Sequence, residues 1–316
     1  MSFLSSFAEL SVRPAADVFV WVVMAVFLVG VVADRLDREE LAVRATTVAW
    51  GLFAVFWLLM LQFFVFVHRS IVQSALVVLA VPACLYVGYR LWNGRESLLL
   101  LSRAVAFAGL IYLPFTTSAV AQGILIETVA RQTAIGIEWL GYADGARLIE
   151  DPTGETALLN TFWFPETDRA SRIVFACTGI GSMAIFGGLI SAVKAPLRRK
   201  LLALAVAIGI IWVLNIARNV FIAIANGYQW FAHPALEGPV MIAFGLSDPA
   251  RVSFFLADRL IAQGLALFAL VGIALLIARW LPEILDVGEE LLSLLAGEEV
   301  SLRNRPIADG GPKGER

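Results

Sequence analysis

With 316 residues, 59% apolar and only 16% charged, and a mean hydropathy of +0.81, the chain has too few polar side chains to cover a soluble domain, which needs about a quarter charged residues. It is the composition of an integral membrane protein. The net charge of -2, with no basic domain set apart from the loops, argues against nucleic-acid binding. The two cysteines, Cys84 and Cys177, lie in different apolar segments and make no disulfide framework. His68 and His233 fall far apart in loops, so no Cys/His spacing marks a zinc site, and neither a metal nor a cofactor is expected.

The first apolar run, residues 18–33, is followed by Asp34-Arg35 rather than a small-residue cleavage site. It reads as a retained span and not a cleavable signal peptide. Further runs at 45–67, 71–92, 104–124, 173–193, 201–226 and 252–278 approach the roughly 20 residues a helix needs to cross the hydrocarbon. The expected fold is therefore all-α, a polytopic bundle of about seven transmembrane helices. An eighth span is possible at 124–140, but Glu127, Arg131 and Glu138 favour an interfacial position for it.

Basic residues set the orientation. Arg35, Arg38 and Arg44 follow the first span, Arg90, Arg95 and Arg103 the third, and Lys194, Arg198, Arg199 and Lys200 the fifth. The intervening short loops carry only Arg69 and Arg251. The basic side is expected to be cytoplasmic, which puts the N-terminus outside and the C-terminal tail inside. The organisation expected is a scaffold at 1–126, an extracytoplasmic loop at 127–172, catalytic helices at 173–281 and a cytoplasmic tail at 282–316. The Gly/Pro/charged end of that tail, 308–316, is expected to be disordered. In the outer loop, Phe162-Trp163-Phe164-Pro165 reads as an interfacial anchor, with a lid over a site as the alternative.

Ionisable residues are rare in the first four spans and concentrate in the last three. A guanidinium at membrane depth costs roughly 2.5–3.5 kcal/mol on insertion scales, so it is normally turned toward a partner or a reaction. Arg218, in Ala217-Arg218-Asn219, and Arg259, in Ala257-Asp258-Arg259, both fall about two turns from the outer end of their spans. Cys177, in Ala176-Cys177-Thr178-Gly179-Ile180-Gly181-Ser182, falls only a turn or so below the same face. A thiolate is stabilised by neighbouring cations, and a guanidinium also suits the oxyanion of acyl transfer. The proton for a leaving amine would come from His233, Asp258 or water.

The residues alone leave other readings open. Cys177 can be a small buried hydrophobe, Cys84 reads as one, and Arg259 can simply pair with Asp258. Asn215 and Asn219 suit hydrogen bonds between helices, while Arg251, at a helix boundary, suits snorkelling. A transporter or receptor could use the arginines to bind an anionic ligand, and an assembly protein could use all three polar residues to join helices. No internal repeat and no filter-like loop supports a channel.

These same motifs resemble the exosortase/archaeosortase family of membrane cysteine transpeptidases, over about residues 170–265. The resemblance maps the nucleophile to Cys177, the first essential arginine to Arg218, and the third catalytic position to Arg259, with Arg251 as the alternative. That third position is histidine in bacterial members and arginine in archaeal ones, and the last span here has no histidine. The resemblance implies substrates on the cell surface with a C-terminal PGF-type motif, an apolar helix and a basic tail. It further implies cleavage near the motif and transfer of the new carboxyl end to a membrane lipid acceptor.

Overall fold

The computed structural model describes residues 2–62, 71–142, 144–154 and 156–296, and it is mostly helical. The end of the second expected span at 63–67, His68, Arg69 and the tail from 297 onward lie outside the described residues.

The first half is an all-helical packing of α1 (Ser2–Arg35), α2 (Glu39–Gln62), α3 (Ile71–Trp92) and α4 (Leu98–Thr117). Phe27 of α1 meets the Trp50 ring of α2 edge-on at 5.3 Å, and Trp50 Nε1 donates to Ser102 Oγ of α4 at 2.9 Å. This half buries Cys84 as an ordinary core side chain. Large apolar residues such as Val29, Leu58 and Leu79 face outward, where hydrocarbon is their solvent. Among the described residues, five helices are long and apolar enough to cross a bilayer: Ala16–Arg35, Glu39–Leu61, Leu98–Thr117, Leu197–Gly227 and Pro249–Ala278. The chain is a multi-pass membrane protein.

The second half departs from the hydropathy reading in several places. The expected span at 104–124 is two helices, because Ser118 leaves helical geometry and its hydroxyl accepts from Ala121 N, capping α5 (Ala119–Trp139). The boundary drawn between 126 and 127 thus falls inside α5. Beyond α5 the chain forms an antiparallel sheet in the order β1 (Arg147–Glu150), β2 (Leu159–Phe164), β3 (Arg169–Arg172). Phe162 pairs with Ser171 and Phe164 with Arg169 across the β2–β3 ladder. Period-two alternation sends Phe162 and Phe164 to one face, where each is 1% exposed among Val129 and Ile137 of α5 and Val220 and Ile224 of α7 (Leu197–Gly227). Phe162 and Phe164 therefore form the core that binds the sheet to the helices, while Trp163, on the opposite face, is partly buried and Pro165 is exposed.

The expected span at 173–193 is also shorter. A 3₁₀ turn (Phe175–Thr178) precedes α6, which runs only from Ile180 to Ala192, about 20 Å at 1.5 Å per residue. α6 packs tightly on α4, since a Cβ on Gly188 would lie 2.4 Å from the Ala104 carbonyl oxygen. Then follow α7 (Leu197–Gly227), α8 (Pro234–Phe244), α9 (Val252–Phe255), a π-helical segment (Leu256–Ala262) and α10 (Gln263–Ala278). The start of the expected tail is a further helix, α11 (Ile284–Ala296).

Ion pairs gather one end of the bundle. Glu290 of α11 accepts from Arg95 Nε at 2.8 Å, Glu283 meets Arg199 Nη2 at 2.9 Å, and Asp34 meets Arg103 Nη1 at 2.7 Å. The basic connections after α1, α3 and α6 thus share one end with α11. α6 and α10 run toward that end and α7 runs away from it, so the start of α6, the end of α7 and the π segment meet at the opposite end. The sheet is there too.

Candidate active site

The sheet delivers the chain to Cys177. Ile173 N donates to Asn160 O at 2.8 Å, and Asn160 Nδ2 returns to Ile173 O at 3.2 Å, fixing the exit of β3. At the end of α7, Asn226 Nδ2 donates to Ser171 Oγ at 2.9 Å and to Ala170 O at 3.1 Å, so the strand is tied to the helix that carries Arg218. The 3₁₀ turn then closes, with Cys177 N donating to Val174 O and Thr178 Oγ1 to Phe175 O.

Gly179 makes the break into α6. Its φ of +75° is left-handed, and a Cβ there would lie 2.9 Å from Asn215 Cγ, so both backbone and space call for glycine. Asn215 and Asn219, one turn apart on α7, each donate Nδ2 to the Cys177 carbonyl oxygen at 2.8 Å. A carbonyl has two lone pairs, and this one spends both on α7. The asparagines read as interhelical bonds in the sequence do join helices, and the group they hold is the cysteine's own backbone.

Arg218 lies between them on α7, with its guanidinium within electrostatic reach of the Cys177 thiol. Its Nη2 also lies 2.5 Å from Asp258 Oδ1. Asp258 Oδ2 lies 3.5 Å from Arg259 Nε, so one carboxylate bridges two guanidinium groups. Asp258 is the most enclosed of the three, at 13% side-chain exposure, whereas Arg259 is half exposed. Both Asp258 and Arg259 sit on the π-helical segment, a backbone form that is rare and concentrates at functional sites.

The structure thus brings Cys177 and Arg218 together at one end of the bundle and links Arg259 to Arg218 through Asp258. Arg251, the alternative third residue, places its guanidinium over the Phe255 ring at 5.3 Å. His233 is exposed and caps α8, its Nδ1 accepting from Ala235 N at 3.2 Å. Two features escaped the sequence reading: the bridging position of Asp258 and the double clamp on the Cys177 carbonyl. The signal available for the clamp was a pair of asparagines four residues apart in an apolar helix.

Comparison with known proteins places this geometry in context. Residues 15–247 match the transmembrane exosortase (Exosortase_EpsH) family, a stretch that includes Cys177 and Arg218 and stops before Asp258. The chain is 62% identical to Archaeosortase A of Natronomonas pharaonis over 307 residues, 97% of each chain. It is 46% identical to Archaeosortase A of Haloferax volcanii over 301 residues, 92% of this chain and 97% of that relative. The similarity extends well beyond residues 170–265, through the first four helices. No solved structure matches the chain. With most of its length matched by the family and two relatives aligned almost end to end, this chain belongs to the transmembrane exosortase family.

Proposed function

We infer that the protein is a membrane cysteine transpeptidase that processes C-terminal sorting signals of surface proteins and passes the new carboxyl end to a lipid anchor. The observation that carries this reading is Cys177 at the head of a short helix in a membrane protein, its carbonyl held by Asn215 and Asn219 of α7 and its thiol within electrostatic reach of Arg218 on the same helix. Its membership of a family whose similar members are named archaeosortases supports it.

In this reading the Cys177 sulfur, as thiolate, attacks the scissile carbonyl carbon, and the C=O electron pair moves to oxygen. Arg218 is placed to favour the thiolate and then to face the oxyanion. Arg259 orients substrate or completes the charge stabilisation, held through Asp258. Collapse breaks the C–N bond and leaves a thioester on Cys177, while the departing tail amine takes up a proton. Of the three proton donors considered, Asp258 is part of the cluster and His233 is an exposed helix cap. A nucleophile on the acceptor lipid then attacks the thioester and frees the thiol.

The substrate class fits the placement. A sorting signal whose apolar helix lies in the bilayer presents its scissile bond at the membrane surface, at the depth expected for Cys177. The basic end of the bundle is assigned to the cytoplasm and the site to the extracytoplasmic face. The deciding experiment is Cys177→Ala, expected to insert and fold normally while its surface-protein substrates keep their C-terminal helix. Mass spectrometry that finds the tail still removed in that variant sinks the assignment. A near-silent Cys177→Ser, with Arg218→Ala abolishing binding of an anionic ligand, would instead favour a transporter or receptor.

A further inference from the structure

In the apolar span Pro249–Ala278, Arg259 and Gln263 are the exposed polar residues from Val252 onward. The outward surface around them is apolar, with Leu260 59% and Leu267 64% exposed. Arg259 turns its Nε to Asp258. The carboxamide of Gln263, near the middle of the span, has no hydrogen-bond partner among the described residues. A polar group that faces hydrocarbon gives up its bonds to water and gains none in return, so a side chain kept there calls for a partner from outside its own helix.

Gln263 is level with the nucleophile. Ala262 and Ala266, which flank it in the chain, line the same cleft as Gly179 and Arg218. Gln263 is exposed on the adjoining face of the helix.

Chemistry narrows what can meet it. A lipid tail carries no hydrogen-bonding group, and a headgroup belongs at the bilayer surface. A peptide group offers both donor and acceptor, the match for Nε2–H and Oε1 of a carboxamide. Within hydrocarbon, peptide groups come only with another polypeptide segment. A second copy of this chain is disfavoured, because a two-fold contact through Gln263 brings Arg259 toward its own counterpart, like charges in a low dielectric. The segment left is the apolar helix of a substrate. The first turn of any helix leaves four N–H groups without a partner inside it, and lipid supplies no acceptor for them.

We propose that Gln263 is a substrate-binding residue whose Oε1 accepts a backbone N–H from the first turn of the sorting signal's apolar helix. The helix then lies on the outward face of α10, and the chain ahead of it reaches the level of Cys177. Gln263 thereby sets which bond is presented to the thiol. This assignment rests on the transpeptidase reading above.

The test is disulfide trapping in full-length protein in nanodiscs. In a Cys84→Ala, Cys177→Ala background, Gln263→Cys and Leu275→Cys are each mixed with a sorting-signal peptide bearing one cysteine in the first turn of its helix, and copper phenanthroline is the oxidant. Leu275 also faces outward, 60% exposed and roughly 18 Å further along the helix. The peptide is expected to link to Gln263→Cys and not to Leu275→Cys. Equal linkage at the two positions, linkage at neither, or a protein dimer through Gln263→Cys in place of the peptide adduct overturns the proposal.

In protein that retains Cys177, Gln263→Leu should raise KM for the peptide roughly fivefold with kcat held, as expected for one neutral hydrogen bond lost from bound substrate. Its thermal midpoint should stay at or above that of wild type, which a merely structural glutamine would not allow. An unchanged KM, or a loss confined to kcat, overturns the proposal, and the trapping assay decides should Gln263→Leu fail to fold. Because the trapping background lacks Cys177, tail removal by Cys177→Ala sinks the nucleophile assignment and leaves the adduct in place. A missing adduct, with processing abolished in Cys177→Ala, sinks the Gln263 assignment alone.

Discussion

Arg218 and Asp258 stand 40 residues apart in the chain, yet a guanidinium nitrogen of one lies 2.5 Å from a carboxylate oxygen of the other. This pair joins α7, which contacts the cysteine, to the π segment, which carries Arg259. It fixes the orientation of the Arg218 guanidinium on the side of α7 that carries the cysteine's partners.

Asp258→Asn keeps the volume and removes the charge. Processing is expected to fall by roughly a hundredfold, the scale of losing one preorganised donor in a low-dielectric site. Asp258→Glu should recover part of that loss. Single-turnover cleavage of a sorting-signal peptide, read beside thermal unfolding, separates lost orientation from lost fold.

Gly179→Ala forces a Cβ into left-handed backbone and toward Asn215. The backbone alone costs about 1–3 kcal/mol, and relief requires the Asn215 clamp to move. Gly181→Ala is the matched control, since a Cβ there meets only Tyr112 at 4.0 Å, an ordinary contact. Thermal midpoints in detergent should separate the two variants clearly, with Gly181→Ala close to wild type.

Asn215→Ala and Asn219→Ala each remove one bond to the Cys177 carbonyl, worth about 1 kcal/mol net. The double variant should cost more than the two singles together, because only then is the carbonyl left without a partner on α7. In a Cys84→Ala background, maleimide modification of Cys177 is expected to quicken in the same order.

Asp151 gives the three-stranded sheet an acid dependence. The Thr153 hydroxyl holds its carboxyl below the ordinary carboxylate range, aided by Thr153 N–H, Arg172 and the Thr156 hydroxyl, while burial opposes. A carboxyl lowered in the folded state contributes stability that is complete above its unfolded pKa of about 3.9 and is lost as pH falls through the folded value. Amide protection over residues 147–172, taken relative to the intrinsic exchange rate at each pH, should therefore hold steady at neutral pH and fall below about pH 4. Asp151→Asn should flatten that dependence.

Much of this was legible beforehand. Hydropathy located α3, α7 and the last long helix to within a few residues, because each carries an apolar run of membrane length, whereas α1 and α2 both begin before the runs that marked them, at Ser2 and Glu39. The convergence of Cys177 with Arg218 followed from depth, counted from ends that the basic loops oriented. The start of α6 was not legible, since residues 173–178 are as apolar as the helix they precede and only Gly179 marks the break. The sheet was hidden because its strands are short and Arg169 and Arg172 read as loop charges. α11 carries Asp286, Glu289 and Glu290 on one face, so a hydropathy window passes over it. The π segment leaves no trace in composition, and with it the bridging carboxylate stayed unassigned.

α6 is only about 20 Å long, and the cysteine's peptide bonds belong to an open turn ahead of it rather than to a helix that closes its own amides. Oil dissolves a helix because a helix hides its own amides, and it rejects an open turn that does not. Asn215 and Asn219 therefore stand in for water at the Cys177 carbonyl. The side chains that hold the Cys177 carbonyl are also what satisfies that open stretch of backbone, so drift at these two positions threatens the fold and the placement of the thiol together.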